Sequence, residues 1–329
     1  MFRLSQQLQQ LLDQNAINVT AADLTKQFTV QTSAPNAASP AFGVNVMSKS
    51  LKDPSVSIII PTSNSGETIE ECLRSIRGQS YQSYEVIIVD NFSNDNTLKI
   101  ATEFGAKITQ EKCNPAQARN IGTANSTGKY AFFLDSDQVL SPPVIQNCVR
   151  KCENGKVGMV RIPEIFVGKS FWSSCLALWK NYYERVEQSY EASEKVIRGE
   201  PRFFLREHIS RAGLMDGTLL WGENYDLYQR LRKMGVEEAL CESSLYHYEL
   251  GSLRKIVSKN LQYGRSMPIF MKQTKKQIIP ILVKQALLTF REVLRSLKPP
   301  KMILGCTILL LFRTYSAVIG LSMGWAFRD

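Results

Sequence analysis

The chain has 329 residues, which is enough for one large domain with appendages or for two small domains. Hydrophobic residues make up 44% and charged residues 21%, as in globular proteins that bury a core, so global disorder is excluded. The net charge of +10 is uneven, because residues 251–329 hold 14 lysines and arginines against 2 acids. A basic segment of this kind binds nucleic acid or an anionic membrane surface, and its apolar content decides between them.

The first 54 residues are expected to form a flexible tail and linker. Leucines at positions 4, 8, 11 and 12 fit one face of a short helix, either a frayed terminus or a docking element. Residues 31–54 are rich in Ala, Ser, Asn and Pro, a composition typical of a linker.

From residue 55 onward, short apolar runs alternate with segments of helical periodicity. The pattern predicts strands at residues 55–60, 84–90, 106–108 and 130–134, and helices at residues 67–77, 96–104, 116–125, 171–190 and 223–234. Such alternation predicts an α/β fold with a mostly parallel sheet. Ligands of these sheets bind beyond the carboxyl ends of the strands, so we expect the chemistry just after Ile60, Asp90 and Leu134.

Polar loops follow two of the predicted strands. Residues 61–67 contain small side chains that let backbone N–H groups approach a ligand, although an ordinary turn has the same composition. The loop that starts at Asp90 places a carboxylate where it can accept from a base or a ribose, whereas Asp95 is better placed to cap the next helix. The chain has neither a dinucleotide fingerprint nor a P-loop.

The fourth predicted strand, residues 130–134, is followed by Asp135-Ser136-Asp137. Two carboxylates this close at the end of an apolar strand need a cation or hydrogen-bond donors. Mg²⁺ or Mn²⁺ holding a diphosphate supplies the charge and prefers oxygen ligands. The alternative is a solvated turn.

In order and spacing, these motifs resemble the family 2 glycosyltransferases, which are inverting enzymes with a GT-A fold. The resemblance covers residues 55–249, and the following segments carry it: Ile58–Thr62, Cys72–Ser80, Glu85–Asn91, Ala118–Gly122, Phe133–Asp137, Arg202–Phe204, Trp221–Leu231 and Tyr246–Glu249.

The resemblance implies roles for individual residues. The nucleotide-sugar would be held by Pro61, Thr62, Glu67, Asp90, Asn91, Arg119, Asp135 and Asp137. Within this set Asp90 would read the base and Arg119 would lie near the nucleotide or diphosphate. Asp137 and Asp135 would bind the metal together with His247, for which a purely structural role is the alternative.

The catalytic base is where the sequence departs from the family. Inversion needs a base that takes the proton of the acceptor hydroxyl. The family places an acidic pair at the start of a helix, but this chain has Glu223-Asn224, and an amide cannot act as a base. Glu223 and the nearby Asp226 are the candidates, and an inactive site is the third possibility.

The basic C-terminal region, residues 251–329, is expected to be helical. Residues 276–298 are amphipathic, Pro299-Pro300 stops that helix, and an apolar run from Met302 to Phe312 ends at Arg313. Eleven apolar residues are too few to span a bilayer. We expect interfacial or re-entrant helices, with a true span or a soluble core helix as alternatives. The apolar content argues against nucleic acid.

These features predict a glycosyltransferase domain at residues 55–250 that acts at the cytoplasmic face of a membrane, with a lipid- or polyprenyl-linked saccharide as acceptor. Scattered cysteines without a CxxC pair and the absence of an apolar signal segment in residues 1–14 favour the cytoplasmic side. The competing functions are a non-catalytic nucleotide-sugar-binding protein and a nucleotidyltransferase.

Overall fold

The computed structural model describes residues 55–189, 201–273, 278–296 and 298–326. The predicted N-terminal helix and linker lie outside these residues. The residues described from position 55 onward belong to one compact unit.

A seven-stranded sheet forms the centre of this unit, in the order β3-β2-β1-β4-β8-β6-β9. Its strands are β1 (Val56–Thr62), β2 (Tyr84–Asp90), β3 (Lys107–Gln110), β4 (Tyr130–Phe133), β6 (Val157–Arg161), β8 (Phe203–Leu205) and β9 (Glu237–Leu240). All neighbouring strands are parallel except β8, which runs antiparallel to both β4 and β6. The prediction of a mostly parallel sheet is therefore confirmed.

A second sheet of three strands lies in the order β5-β10-β7. It consists of β5 (Gln138–Leu140), β7 (Glu164–Gly168) and β10 (Leu245–Glu249). Strand β10 pairs with both others, and His247 is in register with Gln138 on β5 and with Phe166 on β7. The periodicity of the sequence predicted none of these three strands. Their pairing brings His247 next to the Asp135–Asp137 turn.

Ten helices surround the sheets within the described residues: α1 (Ile69–Arg77), α2 (Thr97–Glu103), α3 (Pro115–Ala124), α4 (Val144–Glu153), α5 (Phe171–Ser189), α6 (Arg206–Arg211), α7 (Glu223–Lys233), α8 (Leu253–Gln273), α9 (Ile278–Arg295) and α10 (Pro300–Ala326). Helix α1 begins two residues later than predicted, because Ser65 to Thr68 form a turn with a hydrogen bond from Thr68 N to Ser65 O (3.0 Å).

The predicted break at Pro299-Pro300 is confirmed, since α9 ends at Arg295 and α10 begins at Pro300. Beyond it, the apolar run and Arg313 belong to one continuous helix of 27 residues. Of the helices in the described part of the chain, α10 is the one that is long and apolar enough to cross a membrane, over residues 300–320.

At the centre of the large sheet, β1 and β4 are buried on both faces, which explains why these two strands are almost continuously apolar. Alternate residues of β1 point to opposite sides, so that Ile58 and Ile60 belong to one apolar cluster and Ile59 belongs to the other. Helix α3 packs closely on the Ile59 side: a Cβ at Gly122 would lie 2.3 Å from Ile59 Cγ2.

We therefore expect Gly122→Ala to push α3 away from β1 and to lower the free energy of unfolding by about 1–3 kcal/mol, as overpacking does in other cores. Chemical denaturation measures the change. Gly155→Ala is the matched control, because its Cβ would meet nothing closer than 3.9 Å. Equal stability of the two variants would contradict the expected packing.

Candidate active site

The loops after β1 and β2 are held together by the Asp90 carboxylate, which is fully buried. One oxygen accepts from Thr62 Oγ1 (2.7 Å) and the other from Ser93 N (2.8 Å). Burial alone would raise the pKa of Asp90, but these hydrogen bonds outweigh it and lower the pKa below its usual range. In this structure Asp90 organises the two loops, and its role in reading a base stays a prediction.

The other residues predicted for the nucleotide pocket lie around these loops. Pro61 and Asn91 are half-buried at the strand ends, with Asn91 N bonded to Thr62 O (2.9 Å), whereas Glu67 is exposed in the turn before α1. Asp95 accepts from Gly66 N (2.8 Å) and from Thr97 N (3.0 Å). It thereby fixes the start of α2 as expected, although the N-cap position itself is occupied by Asn96.

Asp135, directly after β4, lies between two arginines. Its Oδ1 accepts from Arg119 Nη2 on α3 (2.7 Å) and its Oδ2 from Arg202 Nη1 just before β8 (3.2 Å). Burial would raise the pKa of this carboxyl, but the charges of Arg202 and Arg119 hold it well below its usual range. Asp135 is therefore ionised and already neutralised by the protein.

Asp137 faces His247 on β10. The distance from His247 Nε2 to Asp137 Oδ1 is 3.4 Å, and Nδ1 lies 2.8 Å from Glu164 Oε2 on β7. Burial lowers the pKa of His247, but hydrogen bonds to Asp137 and Glu164 outweigh this and raise it to about 9. The imidazole is therefore protonated and joins the two carboxylates.

Arg202 connects these two parts of the site, because its Nε donates to Glu164 Oε1 (2.5 Å) while its Nη1 reaches Asp135. Acidic and basic groups thus alternate along one network, which we call the charge ladder: Glu223, Arg119, Asp135, Arg202, Glu164, His247 and Asp137. No role for Arg202 or Glu164 was predicted from the sequence. Arg202 lay in one of the segments that carry the resemblance, whereas no sequence signal marked Glu164.

The three residues predicted to bind metal come together. Ligand atoms of Asp135, Asp137 and His247 all lie within 4.8 Å of one another. A carboxylate on Nδ1, here from Glu164, is the usual way in which proteins aim the other imidazole nitrogen at a metal. The donor set therefore fits a divalent ion. Asp137 and His247 are the stronger pair, because both oxygens of Asp135 already accept from arginines.

The two candidate bases differ in their surroundings. Glu223, the first residue of α7, accepts from Arg119 Nη1 at 3.3 Å. Asp226 Oδ2 accepts from both Nε (2.9 Å) and Nη2 (2.7 Å) of Arg230, which also donates to Leu214 O (2.7 Å). Asp226 is thus committed to a structural ion pair. The geometry favours Glu223, which belongs to the charge ladder.

The chain turns sharply before Glu223. Gly222 has φ +85°, and a Cβ there would lie 2.5 Å from the Phe270 ring on α8. Only glycine fits both the positive φ and this close approach. Glu223 is therefore held at a fixed point beside α8.

Several known proteins resemble this chain in sequence or in fold. Residues 57–212 match the model of glycosyl transferase family 2. An uncharacterized glycosyltransferase of Rickettsia prowazekii is 30% identical over 190 residues, which cover 55% of this chain and 60% of its own length. The uncharacterized glycosyltransferase YibD of Escherichia coli is 23% identical over 246 residues, covering 64% of this chain and 67% of its own length.

Among solved structures, the mannosyltransferase PcManGT of Pyrobaculum calidifontis, in complex with GDP-Man and Mn²⁺, has the same fold. The TM-score is 0.55 at 18% identity, over 85% of this chain and 89% of that one. The fold is therefore that of a GT-A glycosyltransferase. Residues 57–212 make up slightly less than half of the chain, and over this part the chain is similar to glycosyl transferase family 2. It spans 60% of the length of the Rickettsia relative.

The protonated His247 makes metal binding depend on pH. An ion that takes Nε2 must displace the proton, so we expect Mn²⁺ affinity to rise up to about tenfold per pH unit from pH 7 towards 9, with proton release on binding. Isothermal titration in buffers of different ionisation enthalpy measures both. His247→Gln should bind Mn²⁺ more weakly and without this slope, whereas His208→Gln, at the other histidine of the chain, should retain it. An affinity that is independent of pH in the wild type would contradict the assignment.

Proposed function

We propose that the protein transfers a sugar from a nucleotide-diphospho-sugar to an acceptor hydroxyl with inversion at the anomeric carbon. The observation that carries this proposal is the Arg119 bridge. One guanidinium bonds Asp135, on the predicted donor side, and Glu223, the candidate base, at 2.7 and 3.3 Å. Donor site and base are thereby held at a short, fixed separation, as an in-line displacement requires.

On the donor side, Asp137 and His247 would hold Mn²⁺ or Mg²⁺ with the support of Asp135. The ion would supply positive charge to the departing diphosphate. Thr62, Asp90 and Arg119 would form the wall of the nucleotide pocket, in the roles that the family resemblance implies.

Glu223 would accept the proton of the acceptor hydroxyl. It lies at the N-terminus of α7, beside the Arg119 guanidinium. An ionised carboxylate is the form that can act as a base. Asn224 beside it can only hydrogen-bond.

A non-catalytic nucleotide-sugar-binding protein is the second candidate. It is favoured by the amide at Asn224 and by the ion pair of Asp226 with Arg230, which leave Glu223, itself paired with Arg119, as the one candidate base at the start of α7.

We further propose that the acceptor is a lipid- or polyprenyl-linked saccharide at the cytoplasmic face of a membrane. Helix α10 supports this because its two sides differ. One side carries exposed apolar residues, and the other packs on the protein: Leu304, Leu311, Tyr315 and Val318 are 57–66% exposed, whereas Cys306, Leu309 and Ser316 are buried. Arg313 lies on the protein side, where its Nε donates to Asn260 Oδ1 on α8 (3.3 Å).

The position of Arg313 removes the charge from the apolar side, which can then lie in an interface without burying an ion in lipid. Helix α9 adds exposed apolar residues, Val283, Leu287 and Leu294, and exposed cations, Arg291 and Arg295. Apolar faces flanked by cations bind anionic membrane surfaces.

The test of the transferase compares Glu223→Gln with Asp226→Asn, after a thermal-shift screen of UDP-, GDP- and dTDP-sugars with Mn²⁺ has identified the donor. We expect Glu223→Gln to lower the metal-dependent release of nucleoside diphosphate about 10²–10⁴-fold, as loss of a general base does. Asp226→Asn should chiefly reduce stability, because it breaks the ion pair with Arg230. Donor binding without turnover in the wild type would favour the binding protein, and release of pyrophosphate would indicate a nucleotidyltransferase.

Membrane association is tested with the full-length chain and vesicles containing phosphatidylglycerol. We expect the wild type to sediment with the vesicles and Leu304→Glu/Leu311→Glu to remain largely in solution, since both changes place charge on the apolar side of α10. Met234→Glu is the control, because Met234 is also exposed (41%) but follows α7. If the double variant sediments like the wild type, α10 is not the docking surface.

A further inference from the structure

Helix α8 presents one stripe of side chains to the charge ladder. At 3.6 residues per turn, Lys259, Tyr263, Ser266 and Phe270 lie on the same side of this helix. The opposite side packs on α10, where a Cβ at Gly320 would lie 2.4 Å from Leu261 O and 2.9 Å from Gly264 Cα. The stripe is therefore turned away from α10.

Both ends of the stripe are anchored beside the site. At its far end, the Phe270 ring lies against Gly222 and packs edge-on against Trp221, with ring centroids 5.0 Å apart. At its near end, α8 starts four residues after Glu249, the last residue of the strand that carries His247. The stripe thus crosses the site from the predicted metal ligands to the candidate base.

The two polar residues Lys259 and Tyr263 follow one another along the stripe, from the end near the predicted metal ligands towards the candidate base. Lys259 is exposed, its Nζ lies 5.8 Å from the centre of the Tyr263 ring, and its ammonium group interacts electrostatically with Asp137 and Glu249. Tyr263, one turn further along, interacts with Glu223 and Asp135. Within the stripe, Lys259 is therefore the residue nearest to the end of α8 that follows β10, the strand that carries His247.

The other cations of the charge ladder are already ion-paired with its carboxylates. Arg119 bonds Asp135 and Glu223, Arg202 bonds Asp135 and Glu164, and His247 lies between Asp137 and Glu164. A nucleoside diphosphate carries more negative charge than one divalent ion neutralises. A further cation on the metal side would therefore stabilise the diphosphate as it leaves.

We propose that Lys259 binds the β-phosphate of the nucleoside diphosphate, with Tyr263 as the residue that positions its ammonium group. This assignment rests on the nucleotide-sugar function proposed above. It gives α8, which lies outside residues 57–212 matched by the family model, a direct part in binding the donor. A lysine suits this task because its ammonium group is a compact charge with three donors.

The experiment measures binding of UDP, GDP, UMP and GMP to the full-length protein in the presence of Mn²⁺ by isothermal titration. The comparison uses the base that the wild type prefers. Lys259→Gln should weaken the affinity for the nucleoside diphosphate about tenfold or more, which is the effect of losing a charge-assisted hydrogen bond. The affinity for the nucleoside monophosphate should change less than about twofold. Lys259→Arg should bind the diphosphate more tightly than Lys259→Gln does. Tyr263→Leu, which removes the ring near Lys259 Nζ, should show the same selective loss to a smaller degree.

Lys272→Gln is the matched control, because Lys272 is an exposed lysine on the other side of α8, and we expect it to bind all four nucleotides like the wild type. The assignment of Lys259 is wrong if Lys259→Gln binds the diphosphate as tightly as the wild type does, or if its affinities for the mono- and the diphosphate fall equally. Either result leaves the nucleotide-sugar function untouched. If the wild type binds neither diphosphate, the nucleotide-sugar function fails, and the assignment of Lys259 fails with it.

Discussion

The site depends on the buried guanidinium of Arg119, which bonds both Asp135 and Glu223 and is only 5% exposed. An arginine suits this position because its rigid fork can hold two acceptors at once. The two carboxylates come from segments almost ninety residues apart, and the guanidinium sets their separation. Removing one partner of a buried ion pair typically costs about 3–5 kcal/mol, since the other charge is left uncompensated. The same contacts therefore contribute to folding and to the geometry of the site.

In the rest of the charge ladder, carboxylates are also paired with neighbouring cations. Each carboxylate from Glu223 to Asp137 has a cation beside it, so the ladder is largely neutral before a ligand arrives. Burial raises the pKa of Glu164, but Arg202 and His247 outweigh it and lower the pKa to about 2. The proton on His247 occupies the position where a metal would bring its charge. Exchange of that proton for a divalent ion would therefore change the charge beside Asp137.

The sequence predicted those parts of the fold whose signals are local. Strands β1, β2 and β4 are rich in apolar residues, and the polar residues at their ends lie close together because parallel strands end at one edge of a sheet. The second sheet could not be predicted in this way, because β5, β7 and β10 are short, and His247 meets Gln138 only through pairing across more than a hundred residues. For the same reason Glu164 had no recognisable signal. The choice between Glu223 and Asp226 depended on which acid Arg230 engages, and such a contact is not visible in a sequence pattern.

Helix α8 links the two halves of the proposed function. Its one side faces the charge ladder through Tyr263 and Phe270, and its other side packs on α10 at Gly320. Asn260, which accepts from Arg313, is the residue next to Lys259. The side of α10 that faces the protein and the polar stripe over the site therefore share one rigid helix. A membrane that held the apolar side of α10 would fix the orientation of the site relative to its surface, which is what a lipid-linked acceptor requires.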